Sequence, residues 1–325
     1  MKIAVDAMGG DYAPQAIIEG VIDAFSLGFA KEIILVGNPD LINREIKKYK
    51  KDLPVEIYPS DSVIGMEESP VSALRTKPDS SIAVCYSLVR KKIAGSVVSA
   101  GNTGASFIGG LTILGRLKGI DRPAIASPIP TKNGVCILID VGANVDSKPE
   151  HLFQFGAMGK VYAEEVLGIE NPKVGILNIG EEEGKGNRLT DKAGFLFSKG
   201  NFNFCGNIEG GDILKGKADV VVCDGFVGNS ILKFGEGVAE FIVDYIRNGN
   251  FINKLGLLFA KGLFKRLLKK IDYSEYGGAP LLGIRGVSII CHGKSKRRAI
   301  ANAIRVASES ISHHINERIE EELRV

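Results

Sequence analysis

Short apolar runs rich in Val and Ile recur along the chain, separated by longer stretches in which apolar residues return every three or four positions. The short runs predict strands at Lys2–Asp6, Glu32–Val36, Val55–Tyr58, Ser96–Ser99, Ala124–Pro128 and Val135–Asp140 in the first half. Lys173–Asn178, Phe202–Cys205, Val220–Cys223 and Val287–Cys291 follow in the second. The longer stretches, among them Pro14–Leu27, Ser80–Lys92, Glu150–Leu167 and Gly225–Arg247, carry the helical period. Strand and helix therefore alternate, which implies an α/β fold with a largely parallel sheet covered by helices on both faces. Neither a linker nor a repeat divides the chain, so residues 1–325 are read as one unit with two lobes. Two segments break the rhythm. Residues 248–273 are rich in Leu, Phe and Lys where a strand is due, and the last helix opens on a basic cluster near Ser295, its expected N-cap.

Composition narrows the class. In 325 residues, 45% hydrophobic and 24% charged, disorder, collagen and coiled coil are excluded. Gly is in excess, with 40 residues, which suggests tight turns or close backbone approaches to a ligand. A net charge of +3 and the absence of Trp give no footprint for nucleic acid. Five cysteines without a CxxC pair read as reduced structural thiols of a cytoplasmic protein. Residues 93–115 lack charge but hold six glycines, so they do not read as a bilayer span. No signal peptide is expected at the start.

Several familiar chemistries are missing. There is no GxGxxG, GxSxG or HExxH, and no His followed five residues later by an acid. Gly293-Lys294-Ser295 ends like a P-loop, but its opening position is Ser288. With only His151, His292, His313 and His314 available, a catalytic triad is not expected, and no cofactor or metal is assigned.

What recurs is Asn beside Gly at strand ends: Gly101-Asn102-Thr103-Gly104, Gly142-Ala143-Asn144, Asn178-Ile179-Gly180, Gly206-Asn207 and Gly228-Asn229. In an open α/β sheet these ends form the ligand crevice. Ordinary turns are the alternative for any one copy. Asn102, Thr103 and Gly104 open a helix whose free N–H groups suit phosphate, or simply need a cap. His292, Gly293, Lys294 and Ser295, followed by Lys296-Arg297-Arg298, set cations against a helix N-terminus, an arrangement that phosphate or an acidic partner would relieve. His292 could serve as a proton donor or oxyanion ligand. Lys185, in the glycine-rich loop Gly180–Gly186, could stabilise an oxyanion or stand solvated. Asp6, Asp11, Asp140 and Asp224 trail strands. They could orient lysines or hold a metal, and helix capping is the alternative for Asp11 and Asp224.

On a helical wheel Leu257, Ala260, Leu263, Phe264, Leu267, Leu268 and Ile271 share one face of the insertion. Lys261, Lys265, Arg266, Lys269 and Lys270 occupy the other, with Leu258 and Phe259. A basic amphipathic helix without an acid reads as a membrane-surface or partner-binding element, with Leu257, Lys261, Phe264, Lys265 and Leu268 in contact; packing within a dimer is the alternative.

Asp6-Ala7-Met8-Gly9-Gly10-Asp11, Ser99–Ala105, Asp140–Asn144 and Leu177–Glu182 together resemble the PlsX family of bacterial phosphate acyltransferases. So do Gly206–Gly210, Cys223–Asn229 and Tyr276–Gly283, so that the likeness runs from the first strand to the last helix. The resemblance implies a fold like the isocitrate/isopropylmalate dehydrogenases and phosphotransacetylases, assembled as a homodimer. It implies transfer of a long-chain acyl group from acyl-[acyl carrier protein] to inorganic phosphate. The acyl phosphate would feed a membrane glycerol-3-phosphate acyltransferase in phospholipid synthesis, with this protein held peripherally at the membrane. In that chemistry Asn102, Thr103, Gly104, Asn144, Gly293, Lys294 and Ser295 would bind phosphate or substrate. Lys185, Asn207 and Asn229 would face the thioester, Asn207 as a substrate-binding residue, and Lys185, His292, Asn229 and Asp224 are the catalytic candidates, with His292 beside the phosphate cluster. A short-chain acyl-coenzyme A phosphotransacetylase and a non-catalytic membrane-surface scaffold remain as alternatives.

Overall fold

The computed structural model describes residues 1–49, 53–247 and 275–324. The first elements are β1 (Ile3–Asp6), α1 (Gln15–Ser26), β2 (Ile33–Gly37), α2 (Pro39–Lys47), β3 (Val55–Pro59), α3 (Pro70–Thr76), α4 (Ser81–Arg90), β4 (Ser96–Ser99) and α5 (Thr103–Gly109), which runs into a π-helical turn. Next come β5 (Ala124–Pro130), β6 (Val135–Ile139), α6 (Pro149–Glu165), β7 (Lys173–Leu177), α7 (Arg188–Lys199), β8 (Asn203–Ile208), α8 (Gly210–Lys215), β9 (Val220–Val222) and α9 (Gly225–Arg247). Beyond the undescribed residues lie β10 (Ala279–Leu282), β11 (Val287–Ile290), α10 (Arg297–Ser312) and α11 (Ile315–Glu322). The basic amphipathic insertion, with Leu257, Lys261, Phe264, Lys265 and Leu268, lies outside the described residues.

The described strands form one eleven-stranded sheet in the order β3-β2-β1-β4-β11-β10-β5-β6-β9-β7-β8. Every expected strand is present. Ladders on both flanks are parallel, while β11–β10, β10–β5 and β5–β6 are antiparallel. The central strand β10 escapes the sequence pattern because Pro280 and the glycines before it read as a turn. Its ladders are only two residues deep on each side, so the missing proline donor costs little.

Alternation along the strands sends side chains to two cores. Ile3 and Val5 of β1 face one, with α1, α6 and α10; Ala4 faces the other, with α4 and α5. Helices α1 and α10 pack closely because Gly20 has no side chain: a Cβ there would lie 2.5 Å from that of Ile300. Cys85, Cys136, Cys223 and Cys291 are buried in these cores as thiols, and desolvation pushes Cys136 and Cys291 up to about 12. Among the described residues no helix is long and apolar enough to cross a membrane. The C-terminal helix, expected as one, is two: His314 adopts a left-handed backbone, φ +52°, and breaks it between α10 and α11.

Candidate active site

Three neighbouring parallel strands, β1, β4 and β11, bring their carboxyl ends together and with them three glycine-bearing loops. Asp6 sits at the end of β1, 2% exposed. Its Oδ2 accepts from Ser99 Oγ at 2.8 Å and its Oδ1 from Met8 N–H at 3.2 Å; Ser99 Oγ accepts in turn from Gly101 N–H at 3.0 Å. Gly9 must be glycine, since a Cβ would stand 2.5 Å from Asp6 Oδ2 and 2.7 Å from Gly101 N. The third loop is hooked on by Asp11 N–H, which donates to Gly293 O at 2.9 Å. Burial pushes the Asp6 carboxyl above the usual range, while Ser99 and the backbone amides of Met8 and Gly9 oppose the rise.

Asn102 caps α5, as its sequence position suggests, with Oδ1 accepting from Ala105 N–H at 3.0 Å. Its Nδ2 donates to the carbonyls of Gly65, Met66 and Glu68 at 3.0–3.1 Å, so this amide is spent on tying down a loop rather than left for a ligand. That loop, absent from the expected site, roofs the cluster. A Cβ on Gly293 would meet Met66 Cε at 2.8 Å. Lys77 Nζ and Gly65 N–H both bind Glu68 Oε1 at 2.7 Å and hold its carboxylate below the usual range. Thr103 is exposed and Gly104 half-buried at the opening of α5.

The β11–α10 loop differs from expectation at its cap. Lys296, not Ser295, holds the N-cap position, without a side-chain bond. The loop turns because Ser295 N–H donates to His292 O at 2.8 Å, which carries the Ser295 hydroxyl into a buried position with no hydrogen-bond partner. His292 is exposed and its Nδ1 accepts from Lys294 N–H at 3.1 Å, which puts the proton of the neutral ring on Nε2. Two of the four cations are paired, Arg297 with Asp23 and Arg298 with Glu275. Lys296 lies 5.4 Å from the centroid of the Tyr12 ring, and Lys294 is exposed.

The second set of residues sits at the carboxyl ends of β6, β9, β7 and β8. Asp140, fully buried, accepts from Ile125 and Ala143 N–H on Oδ1 at 3.0 and 3.1 Å. Its Oδ2 takes Asn144 N–H at 2.7 Å and Asn144 Nδ2 at 3.0 Å, and burial raises its pKa against the pull of these donors. Asn144 Nδ2 also donates to Pro123 O at 2.8 Å, so its amide braces the fold instead of facing a ligand. Asp224 Oδ1 caps α9 through Val227 N–H at 3.0 Å, the capping alternative. Asn229, one turn on, is exposed beside Gly142, with its side chain 3.6 Å from where a Cβ would stand.

Lys185 is exposed on a loop held from both sides. Asn178 Nδ2 donates to Lys185 O at 2.9 Å, and Asn207 Nδ2 to Glu182 O at 3.0 Å. Gly186, at φ +103°, closes the loop where a side chain would collide with Asn178 and Thr190. The Lys185 stem runs over Gly180, Cγ being 3.3 Å from that residue's absent Cβ. Among the described residues no group of three or more His, Cys, Asp or Glu is placed to hold a metal, so Asp6, Asp11, Asp140 and Asp224 do not form one.

A glycine-lined opening with exposed Thr103, Lys294 and His292 suits an oxyanion, and a cation on a tethered loop suits developing negative charge. The fold is shared with a solved phosphotransacetylase from Streptococcus pyogenes, at a TM-score of 0.61 and 18% identity over 96% of this chain and 94% of that one. The family model described as "Fatty acid synthesis protein" matches residues 1–318. A phosphate acyltransferase of Halothermothrix orenii is 49% identical, covering 99% of this chain and 98% of that protein. Another, of Geotalea uraniireducens, is 48% identical over 100% and 94%. Fold and relatives together define an acyltransferase. The chain belongs to this fatty acid synthesis, or PlsX, family of phosphate acyltransferases.

Proposed function

We propose that the enzyme transfers a long-chain acyl group from acyl-[acyl carrier protein] to inorganic phosphate. Similarity at 48–49% identity to phosphate acyltransferases, along nearly the whole chain, carries this reading. Phosphate is a weak nucleophile that needs placement beside the thioester carbonyl more than activation. In this reading it rests against the α5 opening and the Gly293–Ser295 loop, with Asn102 acting as the brace of that seat. A phosphate oxygen attacks the carbonyl carbon, and the tetrahedral oxyanion is stabilised by Lys185 and Asn229, with Asn207 holding the Lys185 loop. The C–S bond then breaks. The electron pair leaves on the thiolate, which takes a proton from solvent, and the neutral His292 ring offers its Nε2–H as a hydrogen-bond donor.

The two sets of strand ends belong to ladders of opposite direction, six strand steps apart from β1 to β9. Twist of about 20–25° per step accumulates to roughly 120–150°, which offsets most of that reversal and favours one shared cleft. The apolar stripe of α9, with Phe234 and Tyr245 more than 70% exposed, supports a homodimer. Peripheral membrane attachment through Leu257–Ile271 would deliver acyl phosphate to a membrane acyltransferase that acylates glycerol 3-phosphate.

Hydroxylamine trapping tests the reading with palmitoyl-carrier protein, palmitoyl-coenzyme A and short-chain acyl-coenzyme A esters, each with and without phosphate. Phosphate-dependent hydroxamate from the carrier substrate is the expected result. Turnover of short-chain coenzyme A esters alone would replace it with a phosphotransacetylase, and no turnover of any donor by folded protein would leave a scaffold.

A further inference from the structure

We propose that the donor's acyl chain is seated on an apolar rim formed by Val145, Ile179, Phe226 and Val227, and that this rim sets the preference for chain length. The inference rests on the acyl-transfer reading above and adds the part of the surface that recognises the chain. These side chains are 63%, 80%, 64% and 37% exposed. They follow β6, β7 and β9, neighbouring strands that end within one residue of level, with Ile139 and Ile176 both paired to Val222. The loops also meet: Gly225 N–H donates to Asn144 O at 2.7 Å, and Phe226 and Val145 are the residues that follow the two bonded ones. Ile179 adjoins Gly180, over which the Lys185 stem passes.

Phe226 and Val227 share the first turns of α9 with Asn229, and Ile179 shares its loop with Lys185, the exposed polar groups assigned to the carbonyl. Single exposed apolar residues are ordinary, but a contiguous set marks a binding surface. An acyl chain is bonded to the reacting carbon, so its first methylenes must lie beside whatever holds the carbonyl oxygen. The exposed large apolar side chains on the Lys185 loop and the first turn of α9 belong to this rim. The α9 stripe beyond it, by contrast, repeats at helical spacing from Phe234 through Phe241 to Tyr245, as a partner helix would require. Each methylene seated on apolar surface can strengthen binding by up to about fourfold.

The test compares kcat/KM for 8-, 12- and 16-carbon acyl-carrier thioesters in wild type, Ile179→Ser, Phe226→Ser and the conservative Ile179→Leu. The wild-type value is expected to rise with chain length. The 16-over-8 ratio should fall about tenfold or more in the serine variants and survive in Ile179→Leu. A flat wild-type profile, or an unchanged ratio in the serine variants, overturns the inference while leaving acyl transfer intact; wild type inert on every donor defeats the acyl-transfer reading itself. A measurement free of variant folding uses wild type and a 16-carbon acyl thioester carrying a diazirine within the first half of its chain. Adducts on peptides containing Val145, Ile179 or Phe226 support the rim. Adducts confined elsewhere overturn it, as would Ile179→Ser lowering the oligomeric mass, since a second copy would then be the occupant.

Discussion

The Asp140 carboxylate receives both the backbone and the side-chain amide of Asn144, at 2.7 and 3.0 Å on a single oxygen. Its other oxygen holds β5 at Ile125 and the turn at Ala143, so one buried group fixes the junction of β5, β6 and the turn that follows β6. Asp140→Ala leaves these backbone amides without a partner in a dry setting, at about 3–5 kcal/mol of stability. Urea unfolding followed by circular dichroism should show the loss, with Asp140→Asn recovering part of it. A loss under 1 kcal/mol would mean that water replaces the carboxylate freely.

Gly228 lies on the α9 face turned to this junction, where an added methyl would overlap the Asp140 carbonyl oxygen and press on Cys223 Sγ at 2.9 Å. Backbone cannot yield there as a flexible side chain could. Gly228→Ala should cost more than about 3 kcal/mol, although Ala is the better helix former by about 1 kcal/mol. Gly235 and Gly237 of the same helix have open space around them, so Ala at either position should be neutral or stabilising. Thermal unfolding of the three variants separates packing from propensity.

The strands were legible because Val- and Ile-rich runs such as Ile33–Gly37 can be nothing else in a chain of this rhythm. Strand β10 was not, since Ala279-Pro280-Leu281-Leu282 acquires strand geometry only from β11 and β5 beside it. Asn at strand ends could be seen as polar punctuation, but the direction of each amide depends on distant partners. Asn102 meets carbonyls 34 to 37 residues away and Asn144 one 21 residues away. Ser295 shows the same limit in reverse: its position invited a cap, and the turn to His292 buried the hydroxyl.

Asp6 carries a pH signature. Burial raises its folded pKa above the unfolded value near 3.8, so the folded chain binds this proton more tightly than the unfolded one. Its contribution is complete below that unfolded value and is lost as pH rises through the folded one. Asp6→Asn removes the titration. The stability difference, wild type minus Asp6→Asn, should therefore move against wild type as pH is raised from 4 to 7 in urea melts. A difference independent of pH over that range would place the folded pKa at the ordinary carboxylate value.

Lys185 separates catalysis from stability. Its side chain is exposed, its loop is held by Asn178 and Asn207 through backbone carbonyls, and neither bond involves the ammonium. Lys185→Ala should change unfolding free energy by no more than about 0.5 kcal/mol. An oxyanion ligand lost from the transition state costs about 100- to 1,000-fold in turnover. The expected result is a kcat for acyl phosphate formation lowered by that factor, with the urea midpoint unchanged. Lys185→Arg keeps the charge on a bulkier fork and should recover only part of the rate. Near-normal kcat in Lys185→Ala would remove the residue from the mechanism. A rise in the phosphate KM alone would move it to the phosphate seat.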